Sequence, residues 1–194
     1  MGILDDIIQI EKNGAVIYNQ WIEWVHFGVP NKPKWLRGII RCLLAILGHC
    51  MVCSAMDGCF LVTNKMPTLP QHIRCDCKKK DISFYKVKMS ANAECDIRKF
   101  TEYIFNKTKQ ANGKKEIFIK MGYNIKDSIF LQQEFCNQAL HNYLIGNYNL
   151  KNLDTHGLRL AIPICLKDKK FLSGWLLYPE GEIKNTTPFG GWSQ

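Results

Sequence analysis

Five of the nine cysteines in this 194-residue chain lie between residues 50 and 77, and this clustering constrains the fold more than any other feature. The segment begins with Cys50-x-x-Cys53, continues for 18 residues and closes with His72-x-x-Cys75-x-Cys77. Zinc binds four thiolate or imidazole ligands at the corners of a tetrahedron, and two short-spaced pairs from separate turns can supply them. The spacing therefore predicts a structural zinc site formed by Cys50, Cys53, His72 and Cys75, with Cys77 as the alternative to His72.

Two other states of these cysteines remain open. A disulfide such as Cys53 to Cys75 would join the same two turns, and unbound thiols would be buried as small apolar groups. The odd number of cysteines disfavours a framework built from disulfides alone. The N-terminus, Met-Gly-Ile-Leu-Asp-Asp, carries acids where a signal peptide carries bases. We therefore expect no signal peptide and a cytoplasmic or virion-associated protein.

The positive charge is concentrated in the C-terminal half. Residues 1–77 hold seven Lys or Arg and six Asp or Glu, whereas residues 78–194 hold nineteen and eleven. A basic half is compatible with nucleic acid as a partner, and a solvated lysine-rich surface is the plainer interpretation. Apolar runs are short, near Cys42–Leu47 for example, and a membrane span needs about 20 apolar residues, so no span is predicted.

Hydrophobic periodicity predicts an α+β fold in two regions. Residues 1–77 are expected to be helical at 1–27 and 34–47, with a short strand at 60–63, and to end in the Cys/His-rich module. Lys78–Asp81 is interpreted as a linker or an exposed corner. Residues 82–194 are expected to form a basic α+β domain in which two helices pack on a small antiparallel sheet.

The elements of this second region follow from caps, turns and alternation. A strand is predicted over 82–89, a helix capped by Asp96 through Phe105, and a short segment over 116–121. A longer helix is expected to begin at Asp127 or Ser128 and to end at Gly146. Strands are predicted over 158–164, 171–177 and 183–187, with a turn at Pro179–Gly181 before the last.

One resemblance rests on the cysteine-rich segment. Cys50-x-x-Cys53, Asp57-Gly58, a proline-rich stretch and His72-x-x-Cys75-x-Cys77 resemble the end of the Mu-like phage head morphogenesis (minor head protein) family. That family closes on His-Pro-x-Cys-Arg-Cys, whereas this chain has Ile73 and Asp76 at the second and fifth positions. The resemblance covers about residues 45–77. It implies a phage- or prophage-related protein with a virion-associated or interaction role and phage structural proteins as partners.

A second resemblance covers residues 95–190. Its positions include Lys99, Tyr103, Lys114, Trp175 and the Asn185-Thr-Thr187 run. They resemble a C-terminal domain of undefined function found in polymorphic toxins. The order of helices and then a sheet is also similar to the barnase–EndoU–RelE-like ribonuclease fold. The resemblance implies a toxin-type ribonuclease with an immunity protein as its partner.

Metal-independent RNA cleavage needs a base near the 2′-hydroxyl, an acid near the leaving oxygen and cations for the phosphorane. The candidates are His156, Arg159, Lys184 and Thr187. Plainer roles compete, because His156 stands beside Gly157 as turn residues do, and Trp175 lies in an apolar run that suits the core better than a base-stacking platform. Motifs of kinases, hydrolase triads and dinucleotide-binding proteins are missing from the sequence.

Two functions therefore follow from the sequence. One is a phage- or prophage-related protein with a structural zinc module and a basic C-terminal domain. The alternative is a toxin-type, metal-independent ribonuclease carried by that C-terminal domain.

Overall fold

A computed structural model describes residues 21–25, 51–65, 67, 77–106, 113–154 and 156–193. Helices and sheets occur together along this part of the chain, so the predicted α+β class is confirmed. The predicted helix over 34–47 and the first 20 residues of the predicted helix over 1–27 lie outside the described residues.

The first sheet contains three short strands in the order β2-β1-β3. They are β1 (Trp21–Val25), β2 (Phe60–Val62) and β3 (Lys78–Ile82), and both pairings are antiparallel. The helix predicted through residue 27 is therefore wrong at 21–25. Tryptophan and β-branched residues dominate that segment, and their preference for a strand is satisfied by pairing on both sides. The short strand predicted at 60–63 is confirmed.

A short helix, α1 (Met51–Met56), comes before β2. It is closed by the Asp57-Gly58 turn, where Gly58 has a φ of 78°. The Cys53 side chain is buried within α1. The C-x-x-C pair was expected on a turn, but its second cysteine lies on a helix.

The chain after β3 differs from the sequence prediction. Lys78–Asp81 is part of a paired strand and not a linker, although its side chains are exposed as expected. The predicted strand over 82–89 is wrong, because Phe84–Ser90 forms a helix, α2. Its N-cap is Ser83, whose hydroxyl accepts a hydrogen bond from the Lys86 N–H at 3.3 Å. That cap fixes the start of the helix.

The second sheet contains five strands in the order β4-β8-β7-β6-β5. Their bounds are β4 (Asn92–Glu94), β5 (Asn149–Asp154), β6 (Gly157–Leu166), β7 (Lys169–Leu177) and β8 (Glu182–Trp192). The three predicted strands and the turn at Pro179–Gly181 are confirmed. The pairings are antiparallel except for β4 with β8, which is parallel, so the antiparallel prediction holds for four of the five strands.

Helices cover one face of this sheet. They are a π-helix (Lys99–Ile104), α3 (Lys114–Lys120) and α4 (Ser128–Leu144). Four phenylalanines join these elements to β7, and the ring centroids of Phe100 and Phe135 are 5.2 Å apart. The amide of Gln138 on α4 donates to the Cys165 carbonyl at 2.8 Å and accepts from the Cys165 N–H at 2.7 Å. Trp175 is fully buried, which confirms the core interpretation of that residue.

Hydrogen bonds also join the two predicted regions. The Tyr143 hydroxyl donates to the Phe60 carbonyl at 2.7 Å, and the Glu180 N–H donates to the Gly58 carbonyl at 2.8 Å. Buried residues of β1, β2 and α1 belong to the same apolar cluster as α4 and the second sheet. The division into 1–77 and 82–194 stays a prediction, since much of the first region lies outside the described residues.

Candidate functional site

The candidate site is built on a β-bulge in strand β8. Gly174 of β7 lies opposite Thr187, whereas the next residue, Trp175, lies opposite Asn185. Thr186 is therefore the extra residue, and bulges of this kind re-aim side chains and are common beside active sites. A Cβ at Gly174 would lie 2.9 Å from both Thr186 Oγ1 and Thr187 Cγ2. A glycine at this position is thus what lets the two threonines lie so close to β7.

Two lysines from separate helical segments meet the bulge. Lys99 Nζ, on the π-helix, donates to the Thr186 carbonyl at 3.1 Å. Lys114 Nζ, on α3, donates to the Thr187 hydroxyl at 3.1 Å and to the Tyr103 hydroxyl at 3.2 Å. Within the described part of the chain, neither lysine forms an ion pair with a carboxylate. We call Lys99, Tyr103, Lys114, Thr186 and Thr187 the bulge cluster.

Tyr103 holds Lys114 in a second way. Lys114 Nζ lies 5.3 Å from the centroid of the Tyr103 ring, within the range of a cation–π interaction. The ammonium therefore contacts both the ring and the hydroxyl of one tyrosine. This arrangement orients the charge toward the Thr187 hydroxyl without neutralising it.

A buried polar network fixes the bulge from the core side. The Ser173 hydroxyl donates to the Thr187 carbonyl at 3.0 Å, and the Asn185 amide donates to Ser173 Oγ at 2.9 Å. Ser173 is fully buried and Asn185 is 7% exposed. Buried polar groups of this kind hold one geometry, because breaking any bond leaves an unpaired group in an apolar surrounding. In the described residues, Asn185 Oδ1 and Trp175 Nε1 have no hydrogen-bond partner.

The four residues predicted as catalytic fall at two places. Thr187 belongs to the bulge cluster. Arg159 and Lys184 both lie opposite Leu176, one on each side of it, so their side chains share a sheet face. Two strand spacings separate them, which is about 10 Å. His156 is exposed on the turn between β5 and β6.

Carboxylates accompany the cations of the second group. Lys184 Nζ lies 2.7 Å from a Glu94 carboxylate oxygen and 3.4 Å from a Glu182 carboxylate oxygen. The hydrogen bond to Glu94 is the main reason that the pKa of Lys184 is raised. Arg159 Nε lies 3.3 Å from Asp154, which also accepts the His156 N–H at 2.8 Å. The hydrogen bond from the His156 N–H is the main cause of the lowered pKa of Asp154, and the hydrogen bond from Arg159 lowers this pKa further.

The bulge cluster and the Arg159–Lys184 group therefore differ in whether carboxylates accompany their cations. Arg159 and Lys184 are partnered by acids and are less available to an external anion. Lys99 and Lys114 meet neutral oxygens instead, so a phosphate can approach them without displacing a carboxylate. The bulge cluster is the better anion site of the two.

Sequence reasoning did not assign Lys99, Tyr103 or Lys114 to a site, nor Ser173 and Asn185 to its support. Four of these five, Ser173 being the exception, are among the positions that carry the resemblance to the toxin domain. The signal was therefore present as a pattern, but it gave no indication that these positions meet in space.

Most of the predicted zinc site cannot be described. Cys50, His72 and Cys75 lie outside the described residues, while Cys53 is buried in α1 and Cys77 is half-buried just before β3. Among the described residues, no group of three or more His, Cys, Asp or Glu side chains is arranged to hold a metal. The zinc site stays a prediction.

Comparisons with protein-family models, with curated proteins and with solved structures each find no match to this chain. The described part of the chain contains no helix that is both long enough and apolar enough to cross a membrane.

Proposed function

We propose that the C-terminal half of this protein binds the phosphate backbone of RNA at the bulge cluster and cleaves it without a metal ion. The observation that carries the proposal is the convergence of Lys99 and Lys114 on consecutive residues, Thr186 and Thr187, with no described carboxylate paired to either ammonium. The excess of basic over acidic residues in 78–194 supports a polyanionic substrate.

The proposed reaction is an internal transesterification. The 2′-hydroxyl oxygen attacks phosphorus, a P–O2′ bond forms and the P–O5′ bond breaks. The products are a 2′,3′-cyclic phosphate and a 5′-hydroxyl. Charge grows on the non-bridging oxygens in the transition state, where fixed cations and hydroxyl donors stabilise it most. Lys99 takes this role, whereas the Thr187 hydroxyl donates to the Phe189 carbonyl at 3.1 Å and accepts from Lys114, so it holds that ammonium in place.

Two protons must also move. Solvent accepts the proton of the 2′-hydroxyl, while the Lys114 ammonium donates a proton to the departing O5′. The Tyr103 hydroxyl accepts a hydrogen bond from Lys114 Nζ at 3.2 Å and holds the ammonium in place. The Lys114 amine then takes a proton from solvent, and the starting state returns.

The test is cleavage of end-labelled single-stranded RNA by the purified protein in the presence of EDTA. We expect products that end in 2′,3′-cyclic phosphate and none from a substrate with 2′-deoxyribose at every position. Lys114→Ala should reduce the rate by about 10²-fold or more. Tyr103→Phe should reduce it by a smaller factor, because it removes only the hydroxyl that holds the Lys114 ammonium. Lys126→Ala, a change at an exposed lysine of a 3₁₀ turn, is the matched control.

Two results would contradict the proposal. One is a wild-type protein with no activity above a mock purification. The other is full retention of cleavage by Lys114→Ala. That result would favour the predicted Arg159–Lys184 group as the catalytic site. The virion-associated role, the zinc module and the immunity-protein partner remain predictions.

A further inference from the structure

Strand β3 and helix α2 form an exposed surface that is both basic and aromatic. Lys78, Lys79 and Lys80 are exposed on β3, which is an outer strand of its three-stranded sheet. A single residue, Ser83, joins β3 to α2, where Tyr85 is 72% exposed and Met89 is 69% exposed. Residues 78–90 contain five lysines and one acid, Asp81.

The exposed apolar side chains of α2 form a ridge. Tyr85 and Met89 are four residues apart on the helix and therefore neighbours on its surface. Phe84 is also exposed, at 38%. This short helix therefore leaves three large side chains exposed to water, and exposed apolar clusters commonly mark interaction sites.

The lysines of this surface differ in their partners. Lys86 lies 3.9 Å from Glu23 and 5.7 Å from the Phe60 ring centroid, so it is tied to the first sheet. Lys78, Lys79 and Lys80 form no ion pair with any described carboxylate. Their charges are therefore available to a partner.

We infer that the β3–α2 surface, defined as Lys78, Lys79, Lys80, Tyr85 and Met89, is a binding site for single-stranded RNA. Lys78 and Lys80 lie on one face of β3 and Lys79 on the other. Because β3 is an outer strand, all three can meet phosphates that pass along its exposed edge, and a base stacks on the Tyr85 ring. Cations that follow the backbone, combined with an exposed aromatic ring, are the arrangement that binds single strands without reading sequence. An acidic protein would match the charge equally well, but its carboxylates would pair with the lysines alone. A base of a single strand also stacks on the exposed ring.

This inference rests on the proposed function only for the choice of RNA as the nucleic acid. The surface is distinct from the bulge cluster, because none of its residues contacts β8 or the lysines of that cluster in any hydrogen bond or ion pair among the described residues. It would hold a strand whose cleaved bond lies elsewhere.

The experiment measures binding of a fluorescent 2′-O-methyl RNA oligonucleotide, which cannot be cleaved through its 2′-oxygen. Fluorescence anisotropy gives Kd over a range of salt concentrations. Lys78→Gln/Lys79→Gln/Lys80→Gln should reduce the slope of log K against log salt by about 2, since each phosphate contact on a single strand contributes about 0.7. Tyr85→Ala should weaken binding about tenfold or more, and Tyr85→Phe should retain the affinity because it keeps the ring.

The matched control replaces three exposed lysines elsewhere, Lys120→Gln/Lys126→Gln/Lys151→Gln, and removes the same charge. Equal losses from both triple variants would mean general attraction to a basic protein and would overturn the inference. Unchanged affinity in Tyr85→Ala would overturn it too, and would leave this surface to an acidic protein. The proposed cleavage is tested in a separate assay, in which the wild type and Lys114→Ala are incubated with unmodified RNA.

Discussion

The Asn185 amide donates to the Ser173 hydroxyl, 2.9 Å away, and through that hydroxyl it orients the Thr187 carbonyl from inside the protein. The face of the bulge that meets Lys99 and Lys114 and its buried support are thus parts of one hydrogen-bonded chain. The amide also donates to the Gly174 carbonyl at 3.3 Å and to the Thr187 carbonyl at 3.4 Å. Removing it should leave Ser173 Oγ and both carbonyls less satisfied in an apolar surrounding. The bulge is therefore expected to depend on a residue that no ligand can reach.

We predict that Asn185→Ala lowers the free energy of unfolding by about 1–3 kcal/mol, the cost of unsatisfied buried polar groups. Urea unfolding followed by circular dichroism measures it. Asn137→Ala, a change at an exposed position of α4, is the control and should have little effect. Equal stability of Asn185→Ala and the wild type would show that the network does not hold the bulge.

The elements that the sequence predicted best are those determined by residues close to one another along the chain. The helix that begins at Ser128 and the alternating strand over 158–164 are determined by neighbours a few residues apart, and both were predicted correctly. The segment 82–89 was not, because Phe84, Tyr85, Val87 and Met89 fit a strand almost as well as a helix. The Ser83 hydroxyl caps the helix, and burial of Val87 adds to its stability, so the helix is favoured over a strand. Strand β5 was missed because Asn149–Asp154 is poor in strand-forming residues and depends on β6 for its pairing.

The candidate site could be predicted only in part. Thr187 was predicted as a catalytic residue, and the structure places it in the bulge cluster. There Lys99 meets Thr186 and Lys114 meets Thr187, across 87 and 73 residues of sequence. The lysines and the threonines meet because the helices pack on the sheet through the phenylalanine core. No local sequence pattern encodes that packing. Arg159 and Lys184 were predicted from their charge, but no local pattern shows the carboxylates that accompany them.

The segment that positions Lys99 and Tyr103 should be sensitive to acid. The Arg98 side chain and N–H bond to Asp96 just before the π-helix, and they lower the pKa of Asp96 to about 2. A lowered pKa means that the stabilisation is complete above the unfolded value near 3.8 and is lost as the pH falls toward 2. We predict that the stability difference between the wild type and Asp96→Asn is constant above about pH 5 and shrinks below pH 4.

Urea unfolding at a series of pH values measures this difference. Arg98→Leu removes the guanidinium but keeps the backbone N–H bond to Asp96, so it should give a smaller loss over the same range. A difference that persists unchanged down to pH 2 would show that the Asp96–Arg98 pair does not stabilise this turn.

The zinc prediction is tested by elemental analysis of protein purified without chelators. We expect about one zinc per chain, and less than about 0.2 would favour disulfides or unbound thiols instead. Cys50→Ser and Cys75→Ser should each lower the zinc content strongly, because a structural site needs all four ligands. Cys136→Ser, a change outside the 50–77 segment, should leave it unchanged.

Growth of an expression host tests the toxin interpretation. We predict that the wild type, induced without an immunity protein, strongly reduces colony counts. Lys114→Ala should relieve this, because the variant is expected to lose most of the cleavage rate. His156→Ala separates the two candidate places: relief by it alone would favour the residues predicted from the sequence. Growth that is indifferent to the wild-type protein would count against a ribonuclease of either design.

The last prediction concerns the close approach of β7 and β8. A methyl group at residue 174 would lie 2.9 Å from Thr186 Oγ1 and Thr187 Cγ2, so Gly174→Ala should force the bulge outward. We expect a loss of about 1–3 kcal/mol in the free energy of unfolding, as for other overpacked sites. Adding Thr186→Ala and Thr187→Ser removes both of the atoms that would clash and should restore much of the stability. If the triple variant is no more stable than Gly174→Ala, the loss arises from the backbone of residue 174, and the steric account of the bulge is wrong.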